Sequence, residues 1–80
     1  MVAIAVNRAP VDSSNLVAVG WEADEDNAER GTLEVEFKLG AVYQYTNVPS
    51  FVYQALLYAD SPGRYFRLNV HKVYDGQRIE

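Results

Sequence analysis

Residues 32–46, with the sequence TLEVEFKLGAVYQYT, decide the fold of this chain. Apolar and polar side chains alternate without a fault from Thr32 to Lys38, and the alternation returns from Ala41 to Thr46. A period of two is typical of strands that bury one face and expose the other. The stretch therefore predicts two antiparallel strands joined by a short turn.

The turn between these strands sets their register. A three-residue loop over 38–40 places Gly40 in the left-handed conformation, where a Cβ would be penalised. It gives three cross-strand pairs: Phe37 with Ala41, Val35 with Tyr43, and Leu33 with Tyr45. Both tyrosines then pack on the buried face, while Glu34 and Glu36 lie on a wet face with Gln44 and Thr46. The alternative is that the two tyrosines form a ligand-facing platform on which bases stack. A two-residue loop would set the tyrosines opposite the two glutamates and bury no coherent face.

Upstream of this hairpin the sequence predicts two more strands. Residues 2–6 carry β-branched side chains at alternate positions, which predicts a short edge strand that Pro10 closes. Residues 11–15 contain Asp, Ser and Asn, which favour a turn. The apolar run 16–21 has strand length, and an acidic loop over 22–31 follows it.

Downstream of the hairpin the spacing becomes helical. Pro49 suits the first helical position, and apolar residues recur every three or four positions over 50–59. Residues 60–63, Asp-Ser-Pro-Gly, break this helix, and the spacing predicts a second helix over 64–74. A strand over 67–73 is the alternative, although it places a lysine among the apolar positions. The predicted fold class is α+β: a small antiparallel sheet, made of a three-strand meander plus a short N-terminal edge strand, covered by two C-terminal helices.

Length and charge limit the classes of function. The chain has 80 residues, no cysteine and a formal net charge of −4. One small core fits this length, and the lack of cysteine excludes disulfides and thiolate metal sites. Residues 1–60 carry a net charge of −6 and residues 61–80 a net charge of +2. The acidic balance argues against duplex DNA and other long polyanions, but it permits a small local anion site. No segment resembles a signal peptide or a membrane span, so we expect a cytoplasmic protein without a membrane partner.

The basic C-terminal segment supplies the first candidate site. On a helix over 64–74, four basic side chains share one face: Arg64, Arg67, His71 and Lys72. Arginine donors match phosphate oxygens bidentately, and the backbone N–H groups after Gly63 add donors at the start of the helix. Tyr65 lies beside them and offers a ring for stacking on a base. The alternative is a solvated face that offsets the acidic charge of the rest of the chain.

A second polar group lies near the N-terminus. The hydroxyl of Ser13 or Ser14 would hydrogen-bond a phosphate or a ribose, while Arg8 supplies positive charge and Trp21 a stacking surface. The alternative is that the serines satisfy backbone donors of their own turn. Enzymatic chemistry has little support, because the chain has one histidine and no Gly-x-Ser-x-Gly motif. No cofactor or metal site is predicted, since the loop from Asp24 lacks the glycine and glutamate of a calcium-binding loop.

Taken together, these motifs resemble the KTSC domain family, small modules named for their occurrence at the C-terminus of some lysyl-tRNA synthetases and found also as stand-alone bacterial and phage proteins. The similar segments are Val11–Ser14, Val19–Trp21, Leu33–Phe37 with Gly40, Tyr43–Tyr45, Val48–Pro49 and Ser61–Phe66. The Tyr-x-Tyr and Ser-x-Gly-x-Tyr-Phe elements are the most specific. Two features depart from the family: Trp21 stands where a tyrosine is typical, and the acidic loop is long. On this resemblance the chain divides into an arm at 1–10, a KTSC-like domain at 11–76 and a tail at 77–80.

The resemblance implies no established catalytic activity and suggests RNA binding. The first hypothesis is therefore a non-enzymatic module that binds a small nucleotide or a short single-stranded RNA, and that sequesters a nucleotide signal in a phage or bacterial setting. The second is a protein-interaction or self-assembly module without a small ligand, in which the unpaired N-terminal edge strand pairs with another chain. Under either hypothesis we expect a homo-oligomer, because a core of this size gains stability when subunits associate.

Overall fold

Within the part of the chain that the structure describes, five antiparallel strands form one sheet in which every strand lies beside its neighbours in chain order. The structure, a computed structural model, describes residues 6–80. Its strands are β1 (Arg8–Pro10), β2 (Leu16–Ala23), β3 (Arg30–Phe37), β4 (Val42–Pro49) and β5 (Gly76–Arg78), and its helices are α1 (Ser50–Tyr58) and α2 (Pro62–Asn69). Helix α1 packs on β2, β3 and β4, and α2 packs on α1. The predicted α+β class, with helices on one face of an antiparallel sheet, is confirmed.

The hairpin of β3 and β4 has the predicted register. Val35 pairs with Tyr43, and Leu33 pairs with Tyr45. The backbone N–H of Phe37 donates to the carbonyl of Ala41 at 2.9 Å, and Gly40 has a φ of 97°. Because this φ lies in the left-handed region, the glycine serves the turn as expected.

Both helices differ from the prediction at their ends. Pro49 is the residue before α1 rather than its first residue. Helix α2 occupies 62–69 instead of 64–74, and the alternative strand over 67–73 is wrong. Ser61 begins this helix, because its hydroxyl accepts from the backbone N–H of Arg64 at 3.4 Å. The helix ends early because the chain turns after Asn69, and Lys72 has a φ of 66° that no helix accommodates.

The two edges of the sheet were only partly foreseen. The predicted strand 2–6 lies outside the described residues except for Val6, which is not in a strand. The edge strand β1 instead pairs with β2 and includes Pro10, which a sheet tolerates at its edge. Strand β5 forms the opposite edge and was not predicted; it lies in the segment 76–78, where residues 77–80 were expected to be a tail. Strands β2 and β3 also extend into the predicted acidic loop, which shortens to 24–29.

The core lies between the sheet and the helices. Its buried residues are Leu16, Val19, Leu33, Val35, Tyr45, Val48, Val52, Leu56, Phe66 and Val70. Trp21 packs at its margin and donates its indole N–H to the carbonyl of Val48 at 3.0 Å. This hydrogen bond joins β2 to β4 across β3, at the end of the sheet where β4 leads into α1.

The opposite face of the sheet is less wet than predicted. Glu34 is only 4% exposed, although the alternation placed it on the solvent side. Its carboxylate pairs with Arg8 at 3.2 Å and accepts a hydrogen bond from the amide of Gln44 at 2.8 Å. The glutamate is thus buried by its polar partners from neighbouring strands, and it keeps its negative charge partnered. Within residues 6–80, no helix is long and apolar enough to cross a membrane.

Candidate functional site

An open groove of about 730 Å³ lies between the β3–β4 turn, the turn before β2 and the chain from α2 to His71. The groove has a mainly apolar lining. Its rings are Phe37, Tyr43, Tyr45, Phe66 and His71, and its other lining residues are Ser14, Asn15, Leu16, Lys38, Leu39, Ala41, Gly63 and Arg67. A cavity of this size, with a few polar groups on an apolar lining, is typical of a small-molecule site.

Aromatic side chains form the floor of this groove and hold one another in place. The ring of Phe66 meets those of Phe37 and Tyr45 edge-on, with centroids 5.4 and 5.6 Å apart. Tyr43 lies parallel to Tyr45 at 6.3 Å and edge-on to Phe37 at 5.8 Å. Edge-on and offset-stacked geometries are the favourable ones for aromatic pairs. The floor is therefore a network of rings in fixed orientations, part core and part open surface.

The two tyrosines of this floor differ in burial. Tyr45 is 5% exposed, whereas Tyr43 is half-buried. Burial raises the pKa of Tyr45 to about 12, and the neighbouring Tyr43 adds to the rise because two phenolates would repel each other. Within residues 6–80 neither hydroxyl donates or accepts a hydrogen bond. Tyr45 therefore carries a neutral hydroxyl at physiological pH.

Three basic side chains line the groove and no carboxylate does. These are Lys38 from the turn, Arg67 from α2 and His71 from the segment after it. None of them has an ion-pair partner within residues 6–80, where the ion pairs are those of Arg8 with Glu34 and Glu36. In a chain with eleven acidic residues, Lys38 and Arg67 are a local concentration of unneutralised positive charge. It favours an anionic group at the rim of an aromatic site.

A second, smaller cavity of about 290 Å³ adjoins the groove. Tyr43, Tyr45 and His71 line both cavities. The remaining lining residues of the second cavity come from the chain between α2 and β5: Lys72, Val73, Tyr74, Asp75 and Gly76. The ring of Tyr45 lies over Gly76, its cross-strand partner, where a Cβ would clash with the ring. This second cavity has a mixed lining that includes one acid, Asp75, and two basic side chains, Lys72 and His71.

Four of the residues proposed from the sequence line the groove: Ser14, Gly63, Arg67 and His71. Ser13 does not line the groove, but it lies next to Gly63. Its hydroxyl accepts hydrogen bonds from the backbone N–H groups of Asn15 and Leu16, both at 3.2 Å, and a Cβ added at Gly63 would lie 3.1 Å from it. The serine turn and the start of α2 thus meet, although they are about fifty positions apart in sequence.

The other proposed residues lie elsewhere. Arg64 is exposed on α2 and does not line the groove, and Tyr65 is half-buried against the core. Trp21 hydrogen-bonds to Val48 and lies outside both cavities. Arg8 lies on the opposite face of the sheet, where Glu34 and Glu36 hold its guanidinium. Arg8 therefore does not join Ser13 and Ser14 in a common site.

The sequence analysis did not place Phe37 and Lys38 in a site, and it favoured a buried position for Tyr43 over a ligand-facing one. Their register was correct, and it put Phe37 and Tyr43 on the face that the second helix was expected to cover. Since α2 ends at Asn69, it leaves both rings half-buried and opens the groove above them. One signal was available in the sequence: Lys38, a basic residue of the turn, directly follows the aromatic Phe37 at the end of its strand. Within residues 6–80, no group of three His, Asp or Glu residues is arranged to hold a metal ion.

Comparison with known proteins agrees with the fold and with the positions of these segments. The sequence pattern of the KTSC domain matches residues 12–74. An uncharacterised protein from Stutzerimonas stutzeri (strain A1501) is 44% identical over 61 residues, which cover 76% of this chain and 79% of that protein. The crystal structure of a KTSC domain protein from Yersinia pestis superposes with a TM-score of 0.77 at 34% identity, covering 95% of this chain and 100% of that one. This chain belongs to the KTSC domain family.

Proposed function

We propose that the protein is a non-enzymatic binding module whose groove takes a nucleotide-type anion, either a small nucleotide or a short single-stranded RNA. One observation carries the proposal: an aromatic floor lies beneath three basic side chains, with no carboxylate in the lining. An aromatic floor suits a flat base, and the unpaired basic groups suit its phosphate. We further propose that it acts in the cytoplasm of a bacterium, or during phage infection, by sequestering a nucleotide.

Each part of such a ligand has a matching group. The half-buried ring of Tyr43 presents a face for stacking, which contributes about 1–3 kcal/mol per base in aromatic sites. Arg67 offers forked donors to phosphate oxygens, and Lys38 adds a point charge from the other side of the groove. The hydroxyl of Ser14 and the amide of Asn15 provide further hydrogen bonds for the sugar or the base edge.

The charge of the whole chain favours a compact ligand over a long one. Charges are screened beyond about 8 Å at physiological ionic strength, so the local bases act before the net charge of −4 does. A long duplex would extend past the groove and meet the acidic parts of the surface. The proposal therefore excludes duplex DNA as a partner.

Binding without catalysis is the simpler interpretation of the groove. Ser14 and His71 both line it, but no hydrogen bond joins them in the described part of the chain, and no carboxylate of the lining orients the imidazole. Nucleophilic catalysis needs a base held on the nucleophile and a group that orients the base. The groove offers a serine, a histidine and cations as separate binding groups.

Isothermal titration calorimetry with the four ribonucleoside monophosphates, the matching diphosphates and a five-nucleotide RNA tests the proposal. We expect binding by at least one of them, weakened at least tenfold in Arg67→Ala because a charge-assisted hydrogen bond is lost. Arg64→Ala is the matched control, since it removes the same charge from the same helix outside the groove. No binding to any probe at low salt, or equal losses in the two variants, would contradict the proposed site.

A second candidate function, interaction with another protein or another copy of the chain, is favoured by helix α1. This helix has no charged residue, and it exposes Phe51 and Tyr58. The two residues are seven positions apart, so they lie about two turns from each other on the same face of the helix. An apolar outward face is typical of a helix that another surface covers. The double substitution Phe51→Ser/Tyr58→Ser, measured by light scattering, tests it: a mass unchanged from that of the native chain would contradict assembly through α1.

A further inference from the structure

We propose that the ligand is a nucleotide carrying a second sugar, and that the second cavity binds the vicinal hydroxyls of that sugar. The inference rests on the proposed function of the groove and extends it to the smaller cavity of 290 Å³. It assigns binding roles to Lys72 and Asp75, neither of which lines the groove itself.

Continuity between the cavities is the first step. Tyr43, Tyr45 and His71 line both, so the two spaces are adjacent and share a wall made of these three residues. Tyr43 is half-buried and His71 is exposed, so the top of this wall is open to solvent. A ligand whose base and phosphate occupy the groove can therefore extend over the wall into the second cavity.

The chemistry of the second cavity differs from that of the groove. Besides the imidazole of His71, which it shares with the groove, its lining combines the carboxylate of Asp75, the ammonium of Lys72 and the half-buried ring of Tyr74. Within residues 6–80 neither charged group has an ion-pair partner, so both remain available to a ligand. An acid beside a base favours neither an anion nor a cation. It favours hydroxyl groups, which donate to the carboxylate and accept from the ammonium.

A sugar diol satisfies these groups best. A carboxylate accepts from two adjacent hydroxyls, as carboxylates do in many ribose-binding sites. The groove, in contrast, has no acceptor of this strength, because no carboxylate lines it. The part of the ligand that bears a diol is thus directed to Asp75, and the phosphate is directed to Arg67 and Lys38.

The backbone holds this cavity in position. The carbonyl of Asp75 accepts from the N–H of Thr46 at 3.2 Å, and Gly76 pairs with Tyr45 in the sheet. Lys72 has a left-handed φ of 66°, which a lysine adopts at a cost that the surrounding turn must offset. The side chains of Lys72 and Asp75 therefore project from a defined turn.

Two matched pairs of probes test the inference by calorimetry: ADP against ADP-ribose, and UDP against UDP-glucose. Within a pair the ligands differ by the second sugar. We expect the sugar-bearing member of at least one pair to bind at least tenfold more tightly, as hydrogen bonds to a charged group would provide. Asp75→Asn and Lys72→Ala should remove this advantage and leave the affinity for the plain diphosphate within twofold. Asp60→Asn, which changes an exposed acid outside both cavities, is the control and should keep the advantage.

The outcomes separate the two proposals. If plain diphosphates bind, and adding the sugar changes nothing, the groove keeps its function and the role of the second cavity is wrong. If the advantage exists but survives in Asp75→Asn and in Lys72→Ala, the sugar binds elsewhere and the inference is equally wrong. If no member of either pair binds, and the monophosphates and RNA also fail, both proposals fall together.

Discussion

Arg8 on β1 and Glu34 on β3 form an ion pair across Gly20, which lies between them on β2. Nη1 of Arg8 lies 3.2 Å from Oε2 of Glu34, and both residues are aligned with Gly20 in the antiparallel register. Because the glycine has no side chain, the guanidinium reaches over β2 to a carboxylate on β3. The pair fastens the N-terminal edge strand to the centre of the sheet, on the face away from the helices.

This ion pair predicts an unequal effect of two neighbouring glutamates. Glu34→Ala should lower the free energy of unfolding by about 1–3 kcal/mol, because it leaves the partly buried Arg8 and the amide of Gln44 without this acceptor. Glu36→Ala should cost less than about 1 kcal/mol, since its contact with Arg8 is 3.6 Å long and its side chain is 31% exposed. Urea denaturation measures both values. Equal losses would mean that the buried position of Glu34 does not matter.

Gly20→Ala should detach the N-terminal strand. A Cβ at this position would clash with the backbone carbonyl of Asn7 and with the side chain of Val6, so β1 must move away from β2. We expect a loss of at least about 1 kcal/mol in thermal unfolding, with the largest chemical-shift changes in β1 and β2. A variant with native stability and unchanged shifts at Arg8 and Ala9 would show that β1 does not pack as closely in solution.

Gly40→Ala tests the turn that sets the register. The substitution meets open space, so its only cost is the left-handed φ of 97°. We expect a loss of about 1 kcal/mol, and a smaller loss for Gly40→Asn, because asparagine tolerates this conformation better than alanine. Chemical denaturation measures the free energy of unfolding of both variants and so shows which of them loses more. A neutral alanine variant would argue for a different turn.

The raised pKa of Tyr45 predicts a loss of stability in alkali. In the unfolded chain the phenol ionises near pH 10, whereas in the folded protein its pKa is about 12. The folded state therefore holds the proton more tightly than the unfolded state. The contribution of this proton to the free energy of unfolding is fully present below pH 10 and is lost as the pH rises from 10 to 12. The slope is at most about 1.4 kcal/mol per pH unit for one group.

The comparison variant for this prediction is Tyr45→Phe, which keeps the ring and removes the titrating hydroxyl. Urea denaturation of both proteins between pH 9 and pH 12 gives the difference in their stabilities. The difference in free energy of unfolding between the two proteins should be constant up to pH 10. Above pH 10 the native chain should lose stability relative to Tyr45→Phe. A difference that stays constant across the whole range would show that the hydroxyl ionises equally easily in both states.

The sequence predicted the hairpin well because two independent signals agreed there. The alternation around Val35 required one face to be buried, and Gly40 required a turn with a positive φ; a single register satisfied both. The second helix was overextended for the opposite reason. Val70 is fully buried and Tyr74 half-buried, so the apolar spacing continues although the chain leaves the helix after Asn69.

Other features had no signal in the side chains. Strand β5, Gly-Gln-Arg, has no apolar residue and joins the sheet through its backbone and the ring of Tyr45 over Gly76.

In the groove, Arg67 and His71 were predicted from their helical spacing, and both line it. Arg8 was grouped with Ser13 and Ser14 because they are close in sequence. The reversal of the chain between β1 and β2 gives them different surroundings: Arg8 reaches Glu34, and Ser13 faces Gly63.

The order of the strands also has a consequence for how the chain folds. The pairings of β1 with β2, β2 with β3 and β3 with β4 each close a short loop at little entropic cost, so we expect these four strands to form early. The pairing of β4 with β5 must instead wait until residues 50–75, which contain both helices, have closed a long loop. Both cavities take one wall from the early hairpin and another from that loop, since Tyr43 comes from the hairpin and His71 from the loop. The proposed binding surface should thus be the last part of the molecule to form, and a folding intermediate with a complete meander would still lack the walls of both cavities that come from residues 50–75.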